Sequence, residues 1–247
     1  MPATPAWPPQ STPRLFVDQM LAEGPIRIDG PAAHYLVSVM RTKVGDPVKL
    51  FDDRTGEWLG VAASVGKRDL TLDVTQLLRA REAVPDLWLC AAPLKKGRVD
   101  WLAEKACELG VARLVPVVTR RTVVDKPNTE RLRAHMIEAA EQCGRTALPH
   151  VAEPVKLAAL LRDWSPERAL FFADETGGAP ALDAMRAHKG PAAILIGPEG
   201  GFDAEEREAI RAHPAAIGIG LGPRILRADT AAAAAVSLWM AAAGDWG

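Results

Sequence analysis

Cysteine is scarce in this chain, and its placement excludes two kinds of chemistry. Cys90, Cys107 and Cys143 form no CxxC pair and no even-numbered disulfide framework. A cytoplasmic protein is therefore expected, with its thiols serving as small buried side chains. The five histidines are scattered, without HExxH or a His/Cys cluster, so no metal site is expected. Long apolar runs are missing as well: none reaches the roughly 18 residues a membrane span needs. The alanine-rich stretch from Ala231 to Ala243 is too short and too small-sided, so no membrane partner is expected. Met1 to Pro13 holds early prolines and Trp7 but no basic start with an apolar core, and reads as a flexible tail, not a signal peptide. No GK[ST] and no GxGxxG is present, which excludes a P-loop and the usual dinucleotide fingerprint. The net charge of -1 lacks the basic footprint common in nucleic-acid binders.

What is present is an ordinary globular composition, 48% hydrophobic and 25% charged over 247 residues, enough for one large domain or a small one joined to a larger. Charge is unevenly distributed. Lys95 to Arg145 carries eleven Lys/Arg against seven Asp/Glu, whereas Thr146 to the end carries nine against thirteen. The first 80 residues read as short strands (Arg14 to Val17, Pro25 to Ile28, Pro47 to Phe51, Trp58 to Ser64, Leu70 to Thr75) with one helix from Pro31 to Arg41. A small β-barrel over residues 1–82 follows, a type that often docks RNA. From Ala83-Val84-Pro85-Asp86 onward, apolar runs alternate with amphipathic helices, the pattern of a parallel α/β sheet over residues 83–247. Its strands are expected at Leu87 to Ala91, Arg113 to Val118, Ala169 to Ala173, Ala192 to Ile196 and Ile217 to Leu221, with Gly110 stopping the first helix.

Two glycine-rich loops carry the chemistry. The apolar strand Ala193-Ile194-Leu195-Ile196 runs into Gly197-Pro198-Glu199-Gly200-Gly201, so that loop lies at a carboxyl strand end, where open α/β sheets bind ligands. Gly200-Gly201 allow positive φ, and Asp203 with Glu206 forms a capping box for the next helix. The second loop, Gly222-Pro223-Arg224-Ile225-Leu226-Arg227, follows strand Ile217 to Leu221 and precedes a helix capped by Asp229 or Thr230. Either loop alone reads as a tight turn or as a ligand seat; two at adjacent strand ends favour a nucleoside held by backbone groups. Arg224 and Arg227 bracket an apolar step and suit phosphate or a uracil-like imide, unless they are a surface pair that binds nothing. Glu141 and Arg145 are one helical turn apart and would pair as a salt bridge.

Five motifs then occur in order: Arg14-Leu15-Phe16-Val17; His34-Tyr35-Leu36 with Val39-Met40-Arg41; Glu141-Gln142-Cys143-Gly144-Arg145; Leu195 to Gly201; and Leu221 to Arg227. Over nearly the whole chain they resemble the 16S rRNA (uracil-1498-N3)-methyltransferase family of the SPOUT superfamily. The resemblance implies a PUA-like N-terminal β-barrel, a C-terminal SPOUT α/β domain with a trefoil knot, a homodimer, S-adenosyl-L-methionine as cofactor, and 16S rRNA in the small ribosomal subunit as substrate. By position it implies a cofactor pocket of Phe172, Ala173, Ile196, Gly197, Gly200, Ile219, Leu221 and Leu226. It makes Arg14, Arg224, Arg227 and Asp229 catalytic candidates, and Arg41, Lys95, Lys96 and Arg145 RNA-binding candidates. Asp229-Thr230-Ala231 stands where the family often has Glu-Thr-Ala, so the acid is shorter by one methylene and is expected to accept a proton or cap the last helix.

The chemistry implied is removal of the uracil N3 proton while the nitrogen attacks a sulfonium methyl, with an arginine stabilising charge on the flanking carbonyl oxygens. Two other classes fit parts of the pattern. A non-catalytic RNA-binding protein would need the barrel and the basic stretch but no cofactor, and a methyltransferase acting on another RNA site would need both.

Overall fold

The computed structural model describes residues 11–95, 97–124 and 126–247. Most of the N-terminal tail and the RNA-binding candidate Lys96 lie outside the described residues. The chain divides into two compact units, one made of residues 1–83 and 141–147, the other of residues 84–140 and 148–247.

In the first unit, β1 (Arg14–Phe16), β2 (Gly24–Ile28), β3 (Pro47–Phe51), β4 (Gly56–Val65) and β5 (Leu70–Ala80) form one sheet in the order β1-β3-β4-β5-β2. Only β1 and β3 run parallel; the other neighbours are antiparallel. Leu70, Leu72 and Val74 alternate inward along β5, against Leu50 and Ala62, as the strand period of two requires. β4 and β5 are longer than expected, because irregularities along their pairing let the ladder bend and continue. The turn from β3 to β4 is organised by the buried Asp52. Its carboxylate accepts from the backbone of Leu21, Arg54 and Thr55 and from the Thr55 hydroxyl. Burial alone would raise the Asp52 pKa, but these donors outweigh it and hold the carboxyl below its ordinary range.

The expected helix from Pro31 to Arg41 is instead α1 (Gly30–His34) running into one π turn over Tyr35–Val39. It ends with Arg41 at φ +57, a left-handed residue that no helix accommodates. That turn buries Leu36 and leaves Tyr35, Val39 and Met40 exposed.

The second unit is a parallel sheet. Its strands are β6 (Leu87–Ala91), β7 (Arg113–Val118), β8 (His150–Val151), β9 (Val155–Lys156), β10 (Ala169–Ala173), β11 (Ala179–Pro180), β12 (Ala192–Ile196) and β13 (Ala216–Gly220), in the order β11-β13-β10-β12-β6-β7-β8, with β9 on the far end of β7. The helices are α2 (Arg98–Glu108), α3 (Thr129–Cys143, whose last three residues belong to the first unit), α4 (Leu157–Arg162), α5 (Ala181–Arg186), α6 (Ala204–Ala212) and α7 (Ala228–Ala243). β12 is buried at every position, which explains its unbroken apolar run. The short strands β8, β9 and β11 escape sequence periodicity because two residues carry no period. Val155 and Lys156 pair with Val117 and Val118, so α4 starts only at Leu157. Among the cysteines, Cys90 and Cys107 are buried as expected, but Cys143 is exposed at the end of α3. Burial pushes the Cys90 thiol up to about 12, so it stays protonated and inert. No helix among the described residues is long and apolar enough to cross a membrane.

Candidate functional site

The two glycine-rich loops follow β12 and β13, but these strands are not neighbours: β10 lies between them and pairs with both. The expectation of adjacent strand ends is therefore corrected. With β10 in the middle, its own end, Phe172-Ala173-Asp174-Glu175, becomes the floor between the loops. The chain leaves β12 and returns on the other side of β10 as β13, which is the strand-order reversal where α/β sheets open a crevice.

That crevice is a pocket of about 430 Å³. Phe172, Ala173, Ile196, Gly197, Ile219, Leu221 and Leu226 line it, as do Arg224 and Arg227. Gly200 does not, because the turn closed by Gly201 N–H to Pro198 O at 2.9 Å carries it to the outer side. There its carbonyl accepts from Arg121 Nη1 at 2.7 Å. Of the glycine pair only Gly201 has positive φ, +67. Gly197 leaves little room for a side chain, since a Cβ would sit 3.1 Å from the Phe202 ring, which would have to give by a few tenths of an ångström. Gly218 and Gly220 mark close packing, as their place inside a strand suggests: the segment of Gly177 and Gly178 lies against them.

The capping box expected of Asp203 and Glu206 is present, with Asp203 Oδ1 accepting from Glu206 N at 2.7 Å and Glu206 Oε2 from Asp203 N at 3.2 Å. The backbone bond from Glu206, helped by Arg120, holds the Asp203 carboxyl below its ordinary value. Sequence reasoning missed the other polar groups of the pocket: Arg98, Asp174, Glu175, Glu199 and Arg207. Arg98 and Arg207 stand on helices and Asp174 and Glu175 follow β10 with no glycine to flag them; only Glu199 stood inside a motif. Asp174 is pinned by Arg211 at 2.6 Å and by Thr176. Burial would raise its pKa, but those bonds outweigh it and lower it. Glu175 pairs with Arg207 at 2.9 Å.

Asp229 is neither a pocket-lining residue nor the cap of α7. The helix starts one residue earlier, with Arg227 in the N-cap position. Asp229 lies in the first turn, where a carboxylate is favoured by the unpaired N–H groups; its Oδ1 accepts from Thr230 N at 2.8 Å and its Oδ2 stands 3.9 Å from Arg98.

Two other candidates belong to the first unit and are interior. The Arg14 guanidinium bonds Glu57, donates to the Arg145 carbonyl at 2.7 Å and stacks 3.8 Å from the Phe51 ring centroid. Glu57 also pairs with Arg79, which donates to the Gly144 carbonyl as well. Burial lowers the Arg14 pKa, opposed by its bond to Glu57. Arg14 is thus built into the packing of its own unit rather than offered to a ligand. Arg145 is 6% exposed and lies beyond the end of α3, so its side chain is interior rather than RNA-facing. Glu141 accepts from Phe16 N at 2.9 Å. Arg41 and Lys95 are exposed.

A model of the RNA methyltransferase domain matches residues 81–240, and one of the RNA methyltransferase PUA domain matches residues 28–75. The chain belongs to the RNA methyltransferase family. Ribosomal RNA small subunit methyltransferase E of Synechocystis sp. is 30% identical to it, with 91% of this chain and 76% of that protein covered. The protein of the same name from Rickettsia conorii is 28% identical over 91% of this chain and 93% of its own length. A Legionella pneumophila methyltransferase solved with its bound cofactor SAM superposes with a TM-score of 0.85 at 28% identity, covering 95% of this chain and 99% of that one. The pocket of this RNA methyltransferase lies wholly in the part matched by the methyltransferase domain.

Proposed function

We propose that this chain transfers a methyl group from S-adenosylmethionine to N3 of uridine 1498 in the 16S rRNA of the small ribosomal subunit. In the same reading it works in the cytoplasm as a homodimer, on a C-terminal domain threaded as a trefoil knot; the five ordered motifs support this part. The observation that carries the reading is the pocket of about 430 Å³ at the ends of β10, β12 and β13, with two arginines on its edge that have no acceptor among the described residues. Its walls fit the cofactor: the apolar side chains of Phe172, Ile196, Ile219 and Leu226 stand beside the backbone of Gly197 and Gly220, a seat for an adenosine ring. The names of the curated relatives and the SAM held by the Legionella structure support the same substrate class and cofactor.

When bound, the cofactor supplies a methyl group on a positively charged sulfur. This chain's residues supply the rest. The apolar walls keep water from the reacting atoms. Arg224 and Arg227 donate to the carbonyl oxygens that flank N3 and stabilise the charge that develops there as the proton leaves; such placed donors contribute on the order of 3 kcal/mol. Arg41 and Lys95, exposed and cationic, hold phosphates and position the RNA.

Mass spectrometry of rRNA from a deletion strain tests the reading. The expected result is loss of N3-methyluridine at position 1498 and its return on complementation. Loss of a methyl group elsewhere in RNA would favour a different target site. Unchanged RNA, with no saturable S-adenosylmethionine binding by calorimetry, would make the chain a non-catalytic RNA-binding protein.

A further inference from the structure

The pocket contains three acidic side chains, Asp174, Glu175 and Glu199, and they differ in what already holds them. Asp174 is bound by Arg211 and Thr176, and Glu175 by Arg207. The acids just beyond the loop are engaged too: Asp203 caps α6 and pairs with Arg120, Glu205 pairs with Arg120, and Glu206 accepts from the backbone of Arg120 and Asp203. Glu199 has no such partner among the described residues and is exposed at the pocket wall.

Its backbone, by contrast, is held on both sides. The Pro198–Gly201 turn closes around it, and Arg121 fixes the carbonyl of the next residue, Gly200. A rigid turn that presents one unengaged carboxylate to a pocket is the arrangement a general base requires: a fixed origin and an acceptor with no competing donor. Asp229, the acid that the motif pattern suggests, is turned to Thr230 N and Arg98 and does not line the pocket.

Resting on the methyl-transfer reading above, we propose that Glu199 is the catalytic residue that takes the N3 proton of the target uridine. The N3–H electron pair stays on nitrogen as the proton passes to the Glu199 carboxylate. The nitrogen lone pair forms the bond to the methyl carbon, and the carbon–sulfur bond breaks with its pair going to sulfur, which leaves as a neutral thioether. The Glu199 carboxyl then returns its proton to water. The charged groups that face it across the pocket are Arg98, Arg207, Arg224 and Arg227 with Asp174 and Glu175. The two acids are already paired with Arg211 and Arg207.

The test is single-turnover methylation of an rRNA fragment by the full chain and by Glu199→Gln, between about pH 6 and 9, with calorimetry of S-adenosylmethionine binding alongside. Loss of a general base is expected to slow the variant by about 100-fold or more, with cofactor affinity within about threefold of the parent. The deficit shrinks as pH rises, and it shrinks again on RNA carrying 5-fluorouridine at the target, whose N3 proton is more acidic. A purely structural loss would show neither recovery. Glu199→Asp, which keeps the carboxylate, is expected to lie between the two and keeps the test open if Glu199→Gln does not fold. The proposal is overturned if Glu199→Gln runs near the parental rate, or if rate and cofactor affinity fall together without rescue by fluorouridine. It is overturned equally if Asp229→Asn and not Glu199→Gln shows the pH recovery. Parental enzyme that forms no N3-methyluridine overturns the underlying reading as well, whereas parental activity with a full-rate variant overturns this proposal alone.

Discussion

Arg121 Nη1 and the carbonyl oxygen of Gly200 stand 2.7 Å apart, and this bond ties the loop after β7 to the glycine-rich turn after β12. Arg120, its neighbour, bonds Asp203 and Glu205 on the same side of that turn. The loop that walls the pocket is therefore shaped before any ligand arrives. A charged donor to a backbone carbonyl contributes about 1.5–3 kcal/mol. Arg121→Ala is expected to weaken S-adenosylmethionine binding by roughly tenfold to a hundredfold and to lower the unfolding free energy by no more than the worth of that bond. Calorimetry of the two proteins checks this; equal affinities would remove the preorganising role.

Glu57 lies between Arg14 and Arg79 with its side chain 8% exposed, and this triad binds β1, β4 and β5 to the 141–147 segment of the first unit. Removing one partner of a buried pair is costly because it strands the other. Arg14→Ala is expected to cost about 3–5 kcal/mol in chemical denaturation.

The same triad makes a pH prediction. Burial alone would raise the Glu57 pKa, but the bonds from Arg79 and Arg14 outweigh it, so the folded value lies below the ordinary 4.5. Asp52 is likewise below its ordinary 3.8. A depressed folded pKa contributes stability in full above the unfolded value, and this is lost as pH falls through the folded one. Thermal stability is therefore expected to fall as pH drops below about 4, and Glu57→Gln to flatten that slope. A parental slope retained by the variant would exclude Glu57 as its source.

Arg224 and Arg227 have no acceptor among the described residues, in contrast to the paired Arg207 beside them. Their loss should therefore show in chemistry and RNA binding, not in folding. Single Ala variants are expected to lose about 100-fold in single-turnover rate. Where an arginine contacts phosphate instead, the slope of log affinity against log salt should fall by about 0.7 to 0.9 per residue. Methylation rates and a salt titration on the same RNA separate the two roles, and unchanged rates for both variants would remove them from the site.

Gly178 approaches β13 so closely that a Cβ would lie 2.7 Å from the Gly218 carbonyl carbon. Backbone cannot swing aside as a side chain does. Gly178→Ala is expected to destabilise by about 1–3 kcal/mol and to weaken cofactor binding, because β13 forms one wall of the pocket. Unfolding and calorimetry should move together.

Much of the site is legible along the chain because its information is local. A buried parallel strand followed by a glycine turn, as in Ile194-Leu195-Ile196-Gly197, is recorded in consecutive residues, and so is the Asp203/Glu206 cap. Seven of the eight cofactor positions implied by the motif order line the pocket for that reason. Two-residue strands such as β11 leave no such trace, since their pairing is decided by β13 across the sheet.

What the sequence by itself determined is the type of the longer elements and the family pattern, both written in periodicity and short motifs. Only the tertiary structure decided which charged groups are available. Arg14 and Arg224 look alike in sequence, yet one is held between Glu57, Phe51 and the Arg145 carbonyl while the other stands without an acceptor at a pocket edge. Asp229 and Glu199 divide in the same way. Glu199 lines the pocket without a partner among the described residues, whereas Asp229 is held by Thr230 N and stands beside Arg98 on α2, a neighbour distant in sequence.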